Sequence, residues 1–318
     1  MDVVSWTRTG AVAVALAATA AVAVAAVQQE PVALLVKLQG GVTVEPADTT
    51  AAAVPGAVGL QLVPGDRVVV AEGGEAVVLY RTGRLVKAAA PVTIEAVGAA
   101  EASGLFASTV RTLGQVATTD ARTQPNRQGM IRPIAGAPAP IAPRNGIKVL
   151  DVRPTFTWFR VGDADAYIVQ LQREGTDAPA PVRYSAGSDT TWTYPADEPA
   201  LVPGATYVWT VGSPVGRVAP PQRFTVAGPE DVAAVQAGLD ALIDAGLDPA
   251  GDGLFLAALA YRDAGLHYEA IRAIRALEAA GAPLGPTFYQ LKGDVLDALG
   301  RIEAAAEAFE RADREPGA

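Results

Sequence analysis

The chain has 318 residues, a formal net charge of −9, no cysteine and one histidine. That excludes disulfides, thiolate nucleophiles, cysteine-ligated clusters and lipidated cysteines, and it leaves no multi-histidine metal site. The length predicts two or three domains, and the acidic balance argues against nucleic acid as a partner.

Residues 11–27 (AVAVALAATAAVAVAAV) carry no charge, follow Arg8 and precede Gln28–Gln29–Glu30–Pro31. A basic start, an apolar core and small residues at the spacing of Ala23–Val24–Ala25 predict an export signal within residues 1–30. As a helix this segment reaches roughly 26 Å, short of a hydrocarbon core of about 30 Å. Cleavage is therefore the first expectation and an uncleaved N-terminal membrane anchor the second. Either one puts the rest of the chain on the periplasmic or extracellular side of a cell envelope.

Residues 32–97 read as short strands: Val32–Leu38, Gly41–Val44, Ala57–Leu62, Arg67–Ala71, Ala76–Tyr80, Arg84–Lys87 and Val92–Ile94. Pro64–Gly65–Asp66 and Gly73–Gly74 are turn signals between them. Residues 111–153 change character. Pro125, Pro133, Pro138, Pro140 and Pro143 predict a semi-rigid Pro/Ala-rich linker. Strands return over residues 154–228, at Thr155–Phe159, Tyr167–Gln172, Arg183–Tyr184, Thr191–Thr193, Tyr207–Val211 and Gln222–Val226. Their number and length suit a small β-sandwich. Residues 229–318 are helical: Pro229, Glu230 and Asp231 suit a helix start. Val232, Val235, Leu239, Leu242 and Ile243 then recur at helical spacing. Four more Ala-rich helices follow, divided near Gly265, Gly281 and Gly300.

Charge is unevenly spread. Residues 229–318 hold 16 acidic and 7 basic residues, whereas residues 111–153 hold 2 acidic and 7 basic. Solvated helix faces and a soluble linker account for this most simply. The opposite signs also predict that Arg122, Arg127, Arg132 and Arg144 touch an anionic surface, such as headgroups or envelope polymer, or that the acidic helices take a basic peptide, a partner's or the linker's own.

Three resemblances cover most of the chain. Leu38–Gln39–Gly40–Gly41–Val42–Thr43–Val44, Gly59–Leu60–Gln61–Leu62–Val63–Pro64–Gly65–Asp66–Arg67–Val68, Ala76–Tyr80 and Gly83 resemble the FecR-type extracytoplasmic domain, over residues 32–110. That resemblance implies an all-β unit used for protein contacts. Only about ten residues precede the apolar segment, so the sigma-factor control of signalling members is not expected. Residues 154–228 resemble fibronectin type III domains through Trp158, Tyr167 and the run Leu201–Val202–Pro203–Gly204–Ala205–Thr206–Tyr207. The resemblance implies an immunoglobulin-like sandwich in which Tyr207 hydrogen-bonds back to the backbone. Residues 229–318 resemble tetratricopeptide repeats. Tyr261, Gly265, Ala270, Ile274 and Leu277 form one set, and Leu296, Gly300, Ala305, Phe309 and Ala312 the next. Two repeats are few, so the helix from Pro229 is expected to cap them or the array to dock on a partner. The family's groove positions map to Phe255, Leu259, Arg262, Gln290, Asp294 and Asp297; Phe255 and Leu259 are equally readable as core.

The chain is thus expected to be multidomain. An all-β FecR-like domain, a fibronectin-like sandwich and an all-α, tetratricopeptide-like domain follow one another. No catalytic residue, cofactor or metal is predicted. His267 is expected at the surface. Asp240, Asp244, Asp248 and Asp252 would repel rather than chelate on a helix face, and no glycine-rich phosphate loop occurs. The expected function is non-enzymatic scaffolding or assembly at the envelope through protein partners. A glycan or peptidoglycan binder using Trp192 or Tyr194 is the alternative. A hydrolase with two carboxylates converging in a cleft is third.

Overall fold

The computed structural model describes residues 30–97, 136–162, 164–175, 180–214 and 216–314. The apolar segment 11–27 and Arg122, Arg127 and Arg132 lie outside them. Among the described residues, no helix is long and apolar enough to cross a membrane.

The N-terminal unit has eight strands: β1 (Ala33–Gln39), β2 (Val42–Glu45), β3 (Val54–Pro55), β4 (Leu60–Leu62), β5 (Arg67–Val70), β6 (Glu75–Tyr80), β7 (Leu85–Ala88) and β8 (Val92–Thr93). They form two antiparallel sheets, ordered β4-β1-β6-β7 and β3-β2-β5-β8. Leu35, Val44, Leu62, Val68, Val78 and Tyr80 fill the core they share. The Gly–Asp turn has a physical anchor. The Asp66 carboxylate is buried, and it accepts from the amides of Ala47 (2.9 Å) and Val63 (2.8 Å). A buried carboxylate is tolerated when backbone donors meet it.

Strands β1 and β6 are apolar without alternation because both of their faces are covered. Ala33 and Leu35 point into the core between the sheets, while Leu34, Val36, Val77 and Leu79 point the other way, into a second core.

The middle unit also has eight strands: β9 (Ala139–Ala142), β10 (Ile147–Val149), β11 (Thr155–Phe159), β12 (Tyr167–Arg173), β13 (Val182–Gly187), β14 (Thr191–Thr193), β15 (Thr206–Gly212) and β16 (Gln222–Val226). Sheets ordered β14-β11-β9 and β10-β16-β15-β12-β13 enclose Phe156, Trp158, Tyr167, Tyr207, Trp209 and Phe224. Phe156 meets Trp209 edge-on at 5.0 Å. Tyr207, Trp209 and Val211 share the buried face, as their alternation predicts. The Tyr207 hydroxyl accepts from the Val202 amide at 2.9 Å.

The linker reading of residues 111–153 fails over its described part. β9 pairs with β11, and β10 runs parallel to β16, so the sandwich begins near Ala139 rather than Pro154. β9 is an edge strand, where Pro140 removes no needed donor. The Trp209 indole donates to the Pro143 carbonyl at 2.8 Å, which ties this stretch to the core.

Five helices follow: α1 (Pro229–Asp244), α2 (Leu254–Asp263), α3 (His267–Ala279), α4 (Pro286–Ala298) and α5 (Ile302–Arg314). Gly265 and Gly300, with φ of 76° and 68°, end α2 and α4 in the left-handed conformation. α2 packs on α3, and α4 on α5, more closely than other helix pairs. At Gly293 an added methyl group would overlap the Phe309 ring, so glycine is what lets α4 and α5 approach.

The helices do not stand alone. Their core, built on Phe255, Leu259, Ile274, Phe288 and Val295, is continuous with Leu34, Val36, Val77 and Leu79 of the N-terminal unit and with Ile147 of β10. A backbone seam joins the same units. Val58 donates to the Pro283 carbonyl, and Gly285 donates to the Val58 carbonyl, both at 2.8 Å. Lys37 bridges Asp252 (2.6 Å) and Glu75 (2.8 Å), and Lys148 bridges Asp231 (2.7 Å). The short helical array therefore docks on the N-terminal sheet of its own chain.

Candidate partner-binding cleft

The groove positions inferred from sequence do not form an open surface. Phe255 and Leu259 are buried, at 1% and 2% exposure, in the core shared with the N-terminal sheet. Burying each stabilises the fold by roughly 1.5–3 kcal/mol, which makes them packing residues. Four polar members lie nearby. Arg262 pairs with Asp263 at 2.7 Å and reaches Asp294 at 3.7 Å, and the Gln290 amide donates to Asp294 at 3.3 Å. Burial raises the Asp294 carboxyl above its ordinary range, against the pull of Arg262 and Gln290. Asp297 is half-buried one turn further along α4. This cluster is an internal network at the C-terminal end of α2.

His267 is not a surface residue. It opens α3 half-buried, its Nδ1 is enclosed without a hydrogen bond, and burial together with Arg262 lowers its pKa. Among the described residues, no three His, Asp or Glu side chains are grouped to hold a metal ion. Asp248 and Asp252 cap a turn instead, accepting from the amides of Ala250 and Asp248. Tyr194 is buried, and Trp192 is half-buried against Phe156 (5.4 Å) and Tyr184 (4.8 Å). A sugar-stacking platform at these two rings is therefore disfavoured.

The open feature lies elsewhere. A cleft of about 1080 Å³ separates the β9–β11 side of the sandwich from α3 and the start of α5. Alternation in β11 creates one wall. Phe156 and Trp158 point into the core, which leaves Thr155, Thr157 and Phe159 facing out. Phe159 is 65% exposed, and Leu150 on the same side is 39% exposed. Facing them are Ile271, Leu299 and Ile302.

Four arginines line this cleft: Arg144, Arg272, Arg275 and Arg301. Arg144 donates to the Gly300 carbonyl at 3.2 Å and so spans from sandwich to helices. Elsewhere along the same junction, Lys148 of β10 pairs with Asp231 of α1 at 2.7 Å. On the floor, Arg272 holds one Glu269 oxygen at 2.8 Å. The other oxygen, Oε2, is enclosed with no hydrogen bond, although the side chain is only 10% exposed. Burial raises the Glu269 carboxyl against the pull of its own amide and of Arg272. The neighbouring Tyr268 hydroxyl is enclosed too, and burial pushes its pKa up to about 12 against the pull of Arg144.

Sequence reasoning named Arg144 but missed the rest, because the cleft joins residues from segments more than a hundred positions apart. The signal that could have found it is the free apolar end of β11: Phe159 extends an alternating run on the polar side.

No protein-family model matches the chain, and no curated protein matches it. Solved structures of fibronectin type III modules do resemble it. The FN5 domain of Drosophila Lar is 13% identical, covering 29% of this chain and 98% of that one, with a TM-score of 0.21. The fibronectin(III)-like modules of Clostridium thermocellum CbhA are 11% identical, covering 60% of this chain and 79% of that one, with a TM-score of 0.20. The middle unit's own strand order, three strands packed on five with aromatic residues between, is that of a fibronectin type III-like sandwich.

Proposed function

We propose that this chain is an exported, non-enzymatic scaffold of the cell envelope, which binds a protein partner in the cleft between sandwich and helices. One observation carries the reading: the cleft is the place where exposed apolar side chains and arginines from two units converge. Arginine and aromatic side chains are the residues that dominate protein interfaces. In this reading the first unit is FecR-like, the helices are tetratricopeptide-like, and residues 1–30 deliver the chain across the membrane. The helices spend their usual groove on the N-terminal sheet, so partner contact moves to the sandwich side.

A photo-reactive amino acid at position 159, introduced in the producing cell, tests this. The control is position 218, where Val218 is 55% exposed and does not line the cleft. An envelope-protein adduct from 159 alone supports the proposal. Equal adducts from both positions, or none, reject it.

A further inference from the structure

The helices are not equally covered. α2 lies on α3 and α4 on α5, which leaves α1 as the odd member, resting on α2. It buries Val235, Gly238 and Leu242 and turns another side to solvent. On that side Val232, Gln236, Leu239 and Ile243 follow at the spacing that sets residues in one line along a helix. Val232 is 42% and Ile243 58% exposed. The line runs for about 16 Å, at about 1.5 Å per residue. Beside it stand Asp240 and Asp244, both exposed. Their placement works against the helix. Carboxylates four residues apart repel, and the C-terminal end of a helix favours cations instead. α1 itself carries no Lys, Arg or His. Two lysines approach it, and both are engaged. Lys148 holds Asp231 on the opposite flank at 2.7 Å, and Lys87 donates to the Gly246 carbonyl just past the helix end at 3.1 Å. Asp240 takes a hydrogen bond from the Gln236 amide at 2.8 Å. Among the described residues, no ion pair includes Asp240 or Asp244.

We propose that α1 is a separate docking surface, which takes a basic amphipathic helix of a partner protein. The apolar side of that helix lies along Val232, Leu239 and Ile243, and its Lys or Arg side chains reach Asp240 and Asp244. None of these residues lines the cleft between sandwich and helices, so the two surfaces are independent. A helix is required because α1 keeps its own N–H and C=O groups in its turns. An extended segment laid on it would find no backbone partner. A helix arrives with its backbone paired and packs through a stripe of this kind. Charge decides which helix. An acidic one would meet two carboxylates of its own sign. The α1 of a second copy would do the same, since it carries Glu230, Asp231, Asp240 and Asp244 and no cation. A basic helix relieves the repulsion within α1 and complements its negative end.

The experiment is titration of a labelled peptide of about 18 residues, long enough to fold as a helix on contact, onto the purified full chain. Its leucines form a single stripe and its lysines flank that stripe. It should bind, and more weakly as salt rises from about 50 to 300 mM. The same composition shuffled to spread leucines around the helix should bind about ten-fold more weakly, as should a version with Glu for every Lys. Val232→Ser/Ile243→Ser and Asp240→Asn/Asp244→Asn alter the stripe and its flank, and each should lower affinity for the first peptide about ten-fold. The second should do so while holding or raising the thermal midpoint, as expected of carboxylates that serve binding rather than the helix. Phe159→Ser, in the cleft, should leave this affinity unchanged. Equal binding of the shuffled or acidic peptide, indifference to either double variant, or no binding at all overturns the proposal. A lowered midpoint in Asp240→Asn/Asp244→Asn does so too, because the carboxylates would then serve the fold. Loss of binding in Phe159→Ser would move the peptide to the cleft. A dimer of the chain that Val232→Ser/Ile243→Ser abolishes would name a second copy as occupant, and either result also overturns the proposal.

Discussion

Asp66 and Glu269 are both buried carboxylates, and they differ in what meets them. Asp66 accepts two backbone amides across its turn. Glu269 accepts from Arg272 at one oxygen and from nothing at the other. Replacing Asp66 by Ala should therefore cost about 2–3 kcal/mol, because two N–H groups lose their acceptor. Glu269→Gln should act in the opposite direction at neutral pH. The folded-state pKa of Glu269 is raised by burial. Such a group costs stability once pH rises above its unfolded value, and the cost grows until the raised pKa is passed. The variant should gain about 1 kcal/mol, or a few degrees in Tm, at pH 7 and nothing at pH 4. Thermal melts at the two pH values check both sign and pH dependence. The turn at Asp66 was legible in the sequence, from Pro, Gly and Asp between two apolar runs, but its part as a buried acceptor was not. Glu269 was not, because its burial comes from the sandwich and the α4–α5 turn rather than from its own helix.

Most elements were legible for simple reasons. Period-two alternation marks β11, β15 and β16, and glycines mark the ends of α2 and α4. The exceptions were β9 and β10. Strands of four and three residues at a sheet margin tolerate proline, so their composition is that of a linker. The seam between the first and last units was equally hidden, because it depends on two glycines far apart in sequence. A Cβ on Gly285 would stand 2.9 Å from the Leu60 amide nitrogen, and one on Gly59 would stand 2.6 Å from that of Phe288. Gly285 has extended backbone that any residue adopts, so Gly285→Ala isolates close approach from conformational strain. We expect it to destabilise the chain by about 2–3 kcal/mol, in the range of overpacking. Gly281→Ala, with open space around the added carbon, is the control and should cost about 1 kcal/mol. Faster hydrogen exchange at the amides of positions 58 and 285 in the first variant alone would locate the damage at the seam.

At the scale of the whole molecule, the helical unit ties the two β units together through ion pairs as well as apolar packing. Hydrogen bonds from Lys148 and the Gly228 amide hold Asp231 below its usual pKa. Burial pushes Asp252 up, but hydrogen bonds from Lys37 and the Asp248 amide outweigh it, so it too is lowered. Burial likewise opposes the charge on Lys37, and its two carboxylate partners still raise it. A lowered carboxylate contributes stability above its unfolded pKa, and the contribution is lost as pH falls through the folded one. A raised lysine contributes below its unfolded pKa and stops only as pH climbs through the folded one. The ties should thus hold from about pH 5 to beyond pH 9 and loosen below about pH 4. An acid titration followed by small-angle scattering should show expansion there, and Lys37→Met should shift its onset toward neutral pH. A second expectation concerns fragments. Residues 30–97 expressed alone would expose Leu34, Val36, Val77 and Leu79 on one sheet face. Such a fragment should aggregate, and co-expression of residues 136–318 should return it to solution; a soluble monomeric fragment would count against the shared core. The same cover has a consequence in time. Gln61 and Thr287, which meet across it, are 226 positions apart. At 5–20 residues per second, a ribosome needs roughly 10–45 s to make the chain between them. Throughout that interval the nascent N-terminal sheet lacks its lid, so a chaperone that holds chains open until synthesis ends should raise the yield of native protein more than one that hastens folding of the first unit.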